Sequence, residues 1–113
     1  MNTDSYLNKI VEVEIDRPLG SLHTKHGFLY EVNYGFIPGT ISNDGEETDV
    51  YVLGVDKALK KFKGRCIAVI RRTNDEDDKL VVVPDNLNIS DEDICKLTHF
   101  QEQYFESTII RKN

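Results

Sequence analysis

The sequence of 113 residues predicts a mainly β fold: a small closed barrel flanked by one C-terminal α-helix. Three observations support this class. Short segments rich in valine, isoleucine and aromatic residues recur between turn signals. Their period of two changes to a helical period only near residue 90. Five or six such strands close readily as a barrel, and a β-sandwich is the alternative that the pattern leaves open.

The first half of the chain contains two strand signals. Residues 9–15 (KIVEVEI) alternate apolar and polar side chains, which predicts a half-buried strand. The segment 16–20 (DRPLG) ends it, because proline cannot donate to a strand ladder. Residues 28–37 (FLYEVNYGFI) predict one or two strands, and Pro38 and Gly39 end that stretch.

The second half predicts three more strands. Residues 50–55 (VYVLGV) form the first, and residues 56–65 (DKALKKFKGR) read as a basic connection. Residues 66–71 (CIAVIR) are nearly all apolar, as in a strand buried on both faces. Residues 80–84 (LVVVP) complete the set, because Pro84 closes that strand.

A terminal helix begins after Ser90, which is a suitable N-cap followed by three acidic residues in the first turn. Apolar residues then recur at helical spacing and predict one buried stripe that runs to about Ser107. Its members are Ile94, Leu97, Phe100 and Tyr104.

Composition restricts the setting. The chain is 39% hydrophobic and 30% charged, which fits one globular domain over residues 1–113. Its net charge of −6 disfavours a nucleic acid or an anionic membrane held by bulk charge. No apolar run approaches the ~18 residues that cross a bilayer. Two cysteines make no disulfide framework, so we expect a cytoplasmic location.

Acidic residues concentrate in two turns at strand ends. The first turn holds Asp44, Glu46, Glu47 and Asp49, and the second holds residues 75–78 (DEDD). One such window alone is most simply a solvated turn. Two windows, with Glu14 on the polar face of a strand, favour an oxygen-only site for Mg²⁺, Mn²⁺ or Ca²⁺ rather than zinc.

Cations and phenols lie near these acids in the sequence. Lys79 directly follows the second window, so it is expected at the same mouth of the barrel. The hydroxyls of Tyr30 and Tyr34 could donate to phosphate oxygens, although core packing is the more ordinary use of these rings. Together the residues indicate a magnesium-dependent, phosphate-handling domain. The other candidates are Arg17, Lys25, His26, Tyr30 and Tyr34.

Four blocks, NYGFIPGT, DGEETD, DDKLVVVP and HFQEQYF, agree in order and spacing with the soluble (family I) inorganic pyrophosphatases. The chain resembles a shortened bacterial-type member of that family. The resemblance implies a five-stranded, oligonucleotide-binding-type (OB-like) barrel. It also implies hydrolysis of pyrophosphate to two phosphates with Mg²⁺, or alternatively Mn²⁺, by a cytoplasmic homo-oligomer that needs no nucleic acid or membrane.

The resemblance also assigns residues. It implies metal binding by the acids and catalysis by Glu46, Asp49 and Lys79, with Glu46 as the general base. It implies that Lys79 and three tyrosines bind the phosphates, and it leaves open whether Asp77 or Asp78 is the metal ligand. The implied metal ligands are Asp44, Glu46, Asp49, Asp75, Asp77 and Glu14, and the implied substrate contacts are Lys79, Tyr30, Tyr34, Tyr104 and Lys25.

The sequence departs from the family at three places. Glu46 stands where the family has aspartate, and Phe105 stands where it has a phosphate-binding lysine. The loop between Glu14 and Tyr30 is truncated, so Lys25 or His26 would replace its basic residues. A non-catalytic metal- and phosphate-binding module is therefore one alternative. An oligonucleotide-binding barrel that uses the basic run 57–65 is another.

Overall fold

The computed structural model describes residues 3–40, 47–73 and 78–111. Its elements form a mainly β protein with one α-helix, as the sequence predicts. A short 3₁₀ helix precedes the strands, and a sixth strand follows the helix. In chain order the elements are the 3₁₀ helix Thr3–Tyr6, β1 Ile10–Arg17, β2 Asn33–Ile37, β3 Thr48–Val52, β4 Lys61–Arg72, β5 Lys79–Val83, α1 Asp91–Glu102 and β6 Ser107–Ile110.

Five of the strands close into a ring, so the structure is the barrel rather than the sandwich. The order β1-β2-β3-β5-β4 returns to β1 through a second pairing of β4. Strands β3 and β5 are parallel and the other pairs are antiparallel. Strand β6 pairs with β4 outside the ring. The predicted five-stranded barrel with a flanking helix is confirmed.

The length of β4 makes this closure possible. Its first part, residues 61–65, pairs with β1, and its last part, residues 69–72, pairs with β6. The prediction of a connection over residues 56–65 is therefore wrong in its second half. Lys61 and Lys63 are opposite Glu14 and Glu12 on β1. Lysine has a low strand propensity, and these lysines lie on an exposed face of the strand. The sequence pattern therefore does not reveal the start of β4.

Apolar residues form two separate cores. The predicted alternation of β1 is confirmed, because Val11, Val13 and Ile15 are buried while the residues between them are exposed. The centre of β4 is buried on both faces, as predicted. Val50, Val69, Leu80 and Val82 complete the core inside the barrel; Tyr34, Tyr51, Ile70, Val81, Ile94 and Phe100 belong to the core under the helix.

Two predicted strands are shorter or shifted. Only Asn33–Ile37 is strand within the predicted stretch 28–37, and the part before it is a loop with one isolated bridge, Leu22 to Leu29. Strand β3 begins at Thr48 rather than residue 50 and ends at Val52. Gly54 follows with φ of +84°, a left-handed conformation that ends the strand there.

The helix starts as predicted and ends early. The Ser90 side chain accepts from the Asp93 N–H at 3.2 Å, which confirms the N-cap. The helix ends at Glu102, and Tyr104 beyond it is 62% exposed. Leu97 is also exposed, so the predicted stripe is right at Ile94 and Phe100 and wrong at the other two positions. Polar residues replace apolar ones on the buried face near that end. None of the helices that the structure describes is long and apolar enough to cross a membrane.

A buried polar network explains those polar residues. The guanidinium of Arg72 donates to both carboxylate oxygens of Glu102, at 3.1 and 2.8 Å. The Tyr51 hydroxyl donates to Glu102 at 2.6 Å and accepts from the Gln101 amide at 2.7 Å. The Arg72 guanidinium also lies 3.5 Å from the ring centre of Phe105. This network joins β3, β4 and α1.

Glu102→Gln is expected to destabilise the fold, because it removes a buried negative charge that pairs with the buried Arg72 guanidinium. The loss should be about 3 kcal/mol in the free energy of unfolding, measured by urea denaturation. Adding Arg72→Met should recover part of that loss. A double variant as unstable as the sum of both single variants would contradict the account.

Alkaline pH is expected to weaken the fold through Cys66. Burial raises the pKa of this thiol from 9.0 to about 12. The unfolded chain therefore releases the proton first, and stability that is complete below pH 9 falls as pH rises towards 12. The slope should reach about 1.4 kcal/mol per pH unit. Urea midpoints of the wild type and Cys66→Ala between pH 8 and 10 measure it; equal slopes would be contrary to this expectation.

Candidate functional site

Strand register brings distant acids and a lysine into one row. Glu14 on β1 is opposite Phe36 on β2, Phe36 is opposite Asp49 on β3, and Asp49 is opposite Lys79 on β5. Paired residues point to the same face of a sheet. That face continues, two residues along β3 and β5, into Tyr51 and Val81 under the helix, so the row lies on the outside of the barrel.

Lys79 and Asp49 form the charged centre of this row. The Lys79 ammonium lies 2.5 Å from a carboxylate oxygen of Asp49. The lysine side chain is 3% exposed and the aspartate side chain 28% exposed. A buried ammonium needs an acidic partner, and Asp49 supplies one while keeping one side towards solvent. Two residues predicted as catalytic are therefore in direct contact.

The predicted tyrosines Tyr30 and Tyr34 lie beside this pair. The Lys79 ammonium is 5.5 Å from the ring centre of Tyr34, and the two tyrosine rings are 5.5 Å apart. Both side chains are buried. Burial raises the pKa of Tyr30, and the neighbouring Arg17 guanidinium partly opposes that shift. At neutral pH the Tyr30 phenol therefore keeps its proton and can donate a hydrogen bond.

Asp16 joins the site although the sequence analysis read it only as part of a turn. Burial is the main cause of its raised pKa, and the negative charges of Asp49 and Glu47 raise it further while Arg17 lowers it. The negative charges of Asp16, Glu47 and Asp49 are therefore close enough to interact. The signal that could have found Asp16 was its place two residues after Glu14 on the exposed face of β1, but the sequence analysis ended that strand at residue 15.

The structure distinguishes Asp78 from the other acids of the second window. Its carboxylate is buried and accepts from the Thr3 hydroxyl at 2.6 Å. The Arg71 guanidinium lies 3.4 Å from the same oxygen and 2.5 Å from Asp4. Asp78 therefore fastens the 3₁₀ helix to β4, and its carboxylate is already engaged. Asp77 lies outside the described residues, so the choice between the two as metal ligand stays a prediction.

Several predicted ligands lie outside the described residues: Asp44, Glu46, Asp75 and Asp77. Within residues 3–40, 47–73 and 78–111, no three His, Cys, Asp or Glu side chains lie close enough to hold a metal ion. The metal set therefore stays a prediction that needs these four acids. Glu14, exposed and in the same row as Asp49, is the one predicted ligand that the row adds from β1.

Two of the predicted substrate contacts, Lys25 and Tyr104, lie in or next to the loop before Tyr30. Lys25 is exposed, and its backbone N–H donates to Nδ1 of His23 at 3.1 Å. The Tyr104 ring is 6.5 Å from His26 and 6.2 Å from Phe28, next to the loop before Tyr30. Neither residue lies in the Asp49–Lys79 contact, so both remain predictions.

The donor chemistry fits a hard divalent cation. Asp16, Glu47 and Asp49 offer only carboxylate oxygens, the ligands that magnesium and manganese prefer. The charges of Asp49 and Glu47 add to the main effect of burial on the pKa of Asp16. These carboxylates match the ligand type of a hard divalent cation, but within the described residues they do not lie close enough to hold one without the acids outside those residues.

The contacts of the basic run 57–65 give little support to the oligonucleotide alternative. The partly buried Phe62 packs against the core inside the barrel. Lys61 and Lys63 are opposite glutamates, and Arg65 pairs with Asp85 at 3.0 Å. These acidic neighbours partly neutralise the positive charge of the run, which the oligonucleotide alternative requires.

Asp49→Asn is expected to lower the free energy of unfolding by about 2 kcal/mol, because it removes a negative charge that is in direct contact with the buried Lys79 ammonium. Urea denaturation without added metal measures the loss. Asp85→Asn is the matched control: it breaks the exposed pair with Arg65 and should cost less than about 1 kcal/mol. Equal losses in the two variants would count against a special role for the Asp49–Lys79 pair.

Comparison with known proteins identifies the family. A family model described as inorganic pyrophosphatase matches residues 7–110. The inorganic pyrophosphatase of Ralstonia nicotianae is 32% identical and that of Saccharolobus solfataricus 34%, each aligned over 83% of this chain. The chain spans 65% and 61% of those two relatives.

Solved structures agree with the barrel. An inorganic pyrophosphatase from Ehrlichia chaffeensis superposes with a TM-score of 0.72 at 20% identity, covering 93% of this chain and 87% of that one. The Helicobacter pylori structure gives 0.68 at 23% identity, covering 91% and 85%. At such identities the structural similarity shows the fold, and the family model shows membership of the family. The chain belongs to the inorganic pyrophosphatase family.

Proposed function

We propose that this protein hydrolyses inorganic pyrophosphate to two phosphates in a magnesium-dependent reaction. The observation that carries the proposal is the Asp49–Lys79 pair, which brings a proposed metal ligand and a proposed phosphate-binding cation into contact on the outer face of the barrel. The curated relatives that the chain matches bear the name inorganic pyrophosphatase. Hydrolysis of pyrophosphate, the activity that this name denotes, is a reaction that acidic metal ligands and a phosphate-binding lysine would serve.

Magnesium would be held by Asp49 and by the acids that the family motif contributes. Mn²⁺ has the same preference for oxygen ligands and is an alternative. When bound, the metal would place positive charge against the phosphate oxygens and make a nearby water more acidic. The proposed ligands are Asp44, Glu46, Asp49, Asp75, Asp77 and Glu14, and Asp16 and Glu47 add negative charge beside them.

The chain's own residues would position the substrate and move one proton. Glu46 would accept a proton from the attacking water, which adds to one phosphorus in line with the leaving phosphate. Lys79 would bind the phosphate oxygens, with Tyr30, Tyr34 and Tyr104 as donors. Phosphoryl transfer depends mainly on such positioning and charge neutralisation.

The contact with Asp49 prepares Lys79 for this role. A free lysine side chain loses rotamer freedom when it binds a ligand, whereas Lys79 is already held by Asp49 and by the ring of Tyr34. Its charge is thus fixed in direction before substrate arrives, which is the arrangement that electrostatic catalysis requires.

The setting of this activity follows from the family and from composition. We infer a cytoplasmic homo-oligomer that acts on pyrophosphate without a nucleic-acid or membrane partner. Both cysteines are free thiols, which suits a reducing compartment. The net charge of −6 suits a protein that takes up divalent cations.

A non-catalytic metal- and phosphate-binding module is the second candidate. One observation favours it: Phe105, where the family has a phosphate-binding lysine, packs under the Arg72 guanidinium at 3.5 Å. That position thus serves packing in this chain. The longer side chain of Glu46 points the same way, because a shift of about 1 Å in a reacting group can cost a hundredfold in rate.

Phosphate release from pyrophosphate tests the proposal. The wild type should release phosphate with Mg²⁺ and not with a chelator, and Lys79→Met should lower kcat/KM by at least about a hundredfold. Lys96→Gln, which removes a charge from an exposed helix pair, is the control and should match the wild type.

The outcome separates the two candidates. Pyrophosphate binding by calorimetry without phosphate release would select the non-catalytic module. Neither binding nor release by a folded wild type would end both. Circular dichroism of each variant establishes that a lost rate does not reflect a lost fold.

A further inference from the structure

We propose that Arg17 binds the phosphate oxygens of the substrate, replacing basic residues that the truncated loop before Tyr30 does not supply. This inference rests on the proposed function and names a substrate contact for it. The sequence analysis left this cation open among Arg17, Lys25 and His26.

A β-bulge turns Arg17 towards the site. On β2, Glu14 is opposite Phe36 and Ile15 is opposite Gly35, yet Arg17 is opposite Tyr34, so β1 carries one extra residue. With unbroken alternation Arg17 would share the inward face of Ile15. The bulge gives it the face of its partner Tyr34 instead, and bulges of this kind re-aim side chains beside functional sites.

Gly35 shows how closely the two strands approach just before the bulge. A Cβ built on Gly35 would lie 1.9 Å from the carbonyl oxygen of Glu14, so only glycine fits there. The close approach fixes β1 against β2 at this point. The change of face at Arg17 is therefore built into the barrel and does not depend on a loose strand end.

Arg17 and Lys79 flank the same tyrosine pair. Arg17 is the strand partner of Tyr34, and the ring centre of Tyr34 is 5.5 Å from the Lys79 ammonium. The Tyr30 ring is 5.5 Å from that of Tyr34. The effect of Arg17 on the pKa of Tyr30 agrees with this closeness. Two cations thus border one surface from β1 and β5.

The charge of the substrate gives a second cationic side chain a role beside the metal. Pyrophosphate is multiply charged, and the charge of Lys79 is already partly neutralised by Asp49. Arg17 donates from Nη1 to the carbonyl oxygen of Asp16 at 3.2 Å, which steadies its half-buried guanidinium. A guanidinium also offers further donors in a planar fork that matches phosphate oxygens.

Binding and turnover of Arg17 variants test the assignment in the full chain. Binding is measured by calorimetry with magnesium and methylenediphosphonate, a pyrophosphate analogue whose bridging carbon resists hydrolysis. Turnover is measured as phosphate release from pyrophosphate. Arg17→Gln should weaken analogue binding and lower kcat/KM by about ten- to a hundredfold, and Arg17→Lys should recover part of both. Lys96→Gln removes an exposed helix charge and should match the wild type.

Each outcome bears on the inference alone or on the function alone. Analogue binding that depends on Arg17 in a wild type without turnover would support the inference and refute the proposed hydrolysis. Turnover and binding unchanged in a folded Arg17→Gln would overturn the inference and leave the hydrolysis standing. A larger loss in Lys25→Gln than in Arg17→Gln would also overturn it, because the loop would then carry the cation. If Arg17→Gln unfolds, Arg17→Lys decides by the same comparison.

Discussion

The parallel pairing of β3 with β5 is the constraint on which the site depends. It puts Asp49 beside Lys79, two residues that are 30 positions apart in the chain, and their ion pair allows an ammonium to be buried at the edge of the helix-covered core. A shift of one residue in this register would turn one partner into the barrel interior and leave the other charge unpaired. The fold and the site therefore share one register.

The surrounding structure holds that register from several sides. Inside the barrel, tightly packed valines on β3, β4 and β5 fix the strands against one another. Outside it, the Arg72–Glu102–Tyr51 network attaches α1 to the strands, and Tyr51 packs edge-on against Tyr34 at 5.0 Å. At the start of the chain, Thr3 and Asp4 bind Asp78 and Arg71 beside Lys79. Packing and charge thus converge on the same edge.

The sequence predicted the elements that have strong periodicity, and it missed features set by tertiary contacts. Alternation found β1, the apolar run found the centre of β4, and Ser90 marked the helix start. The lysine-rich start of β4 and the short β6 gave no signal, because pairing with β1 and β4 stabilises them rather than propensity. Lys79 and Asp49 were found through the acidic windows, whereas Asp16 was missed because the predicted strand ended one residue before it.

The central claim is that Asp49 contributes to a divalent-cation site while it remains beside Lys79. A crystal structure grown with Mn²⁺ and a pyrophosphate analogue tests it most directly, because anomalous scattering locates the metal without ambiguity. The account predicts a manganese peak against the Asp49 carboxylate, with analogue oxygens on Lys79. An analogue bound elsewhere, with no peak near Asp49, would contradict it.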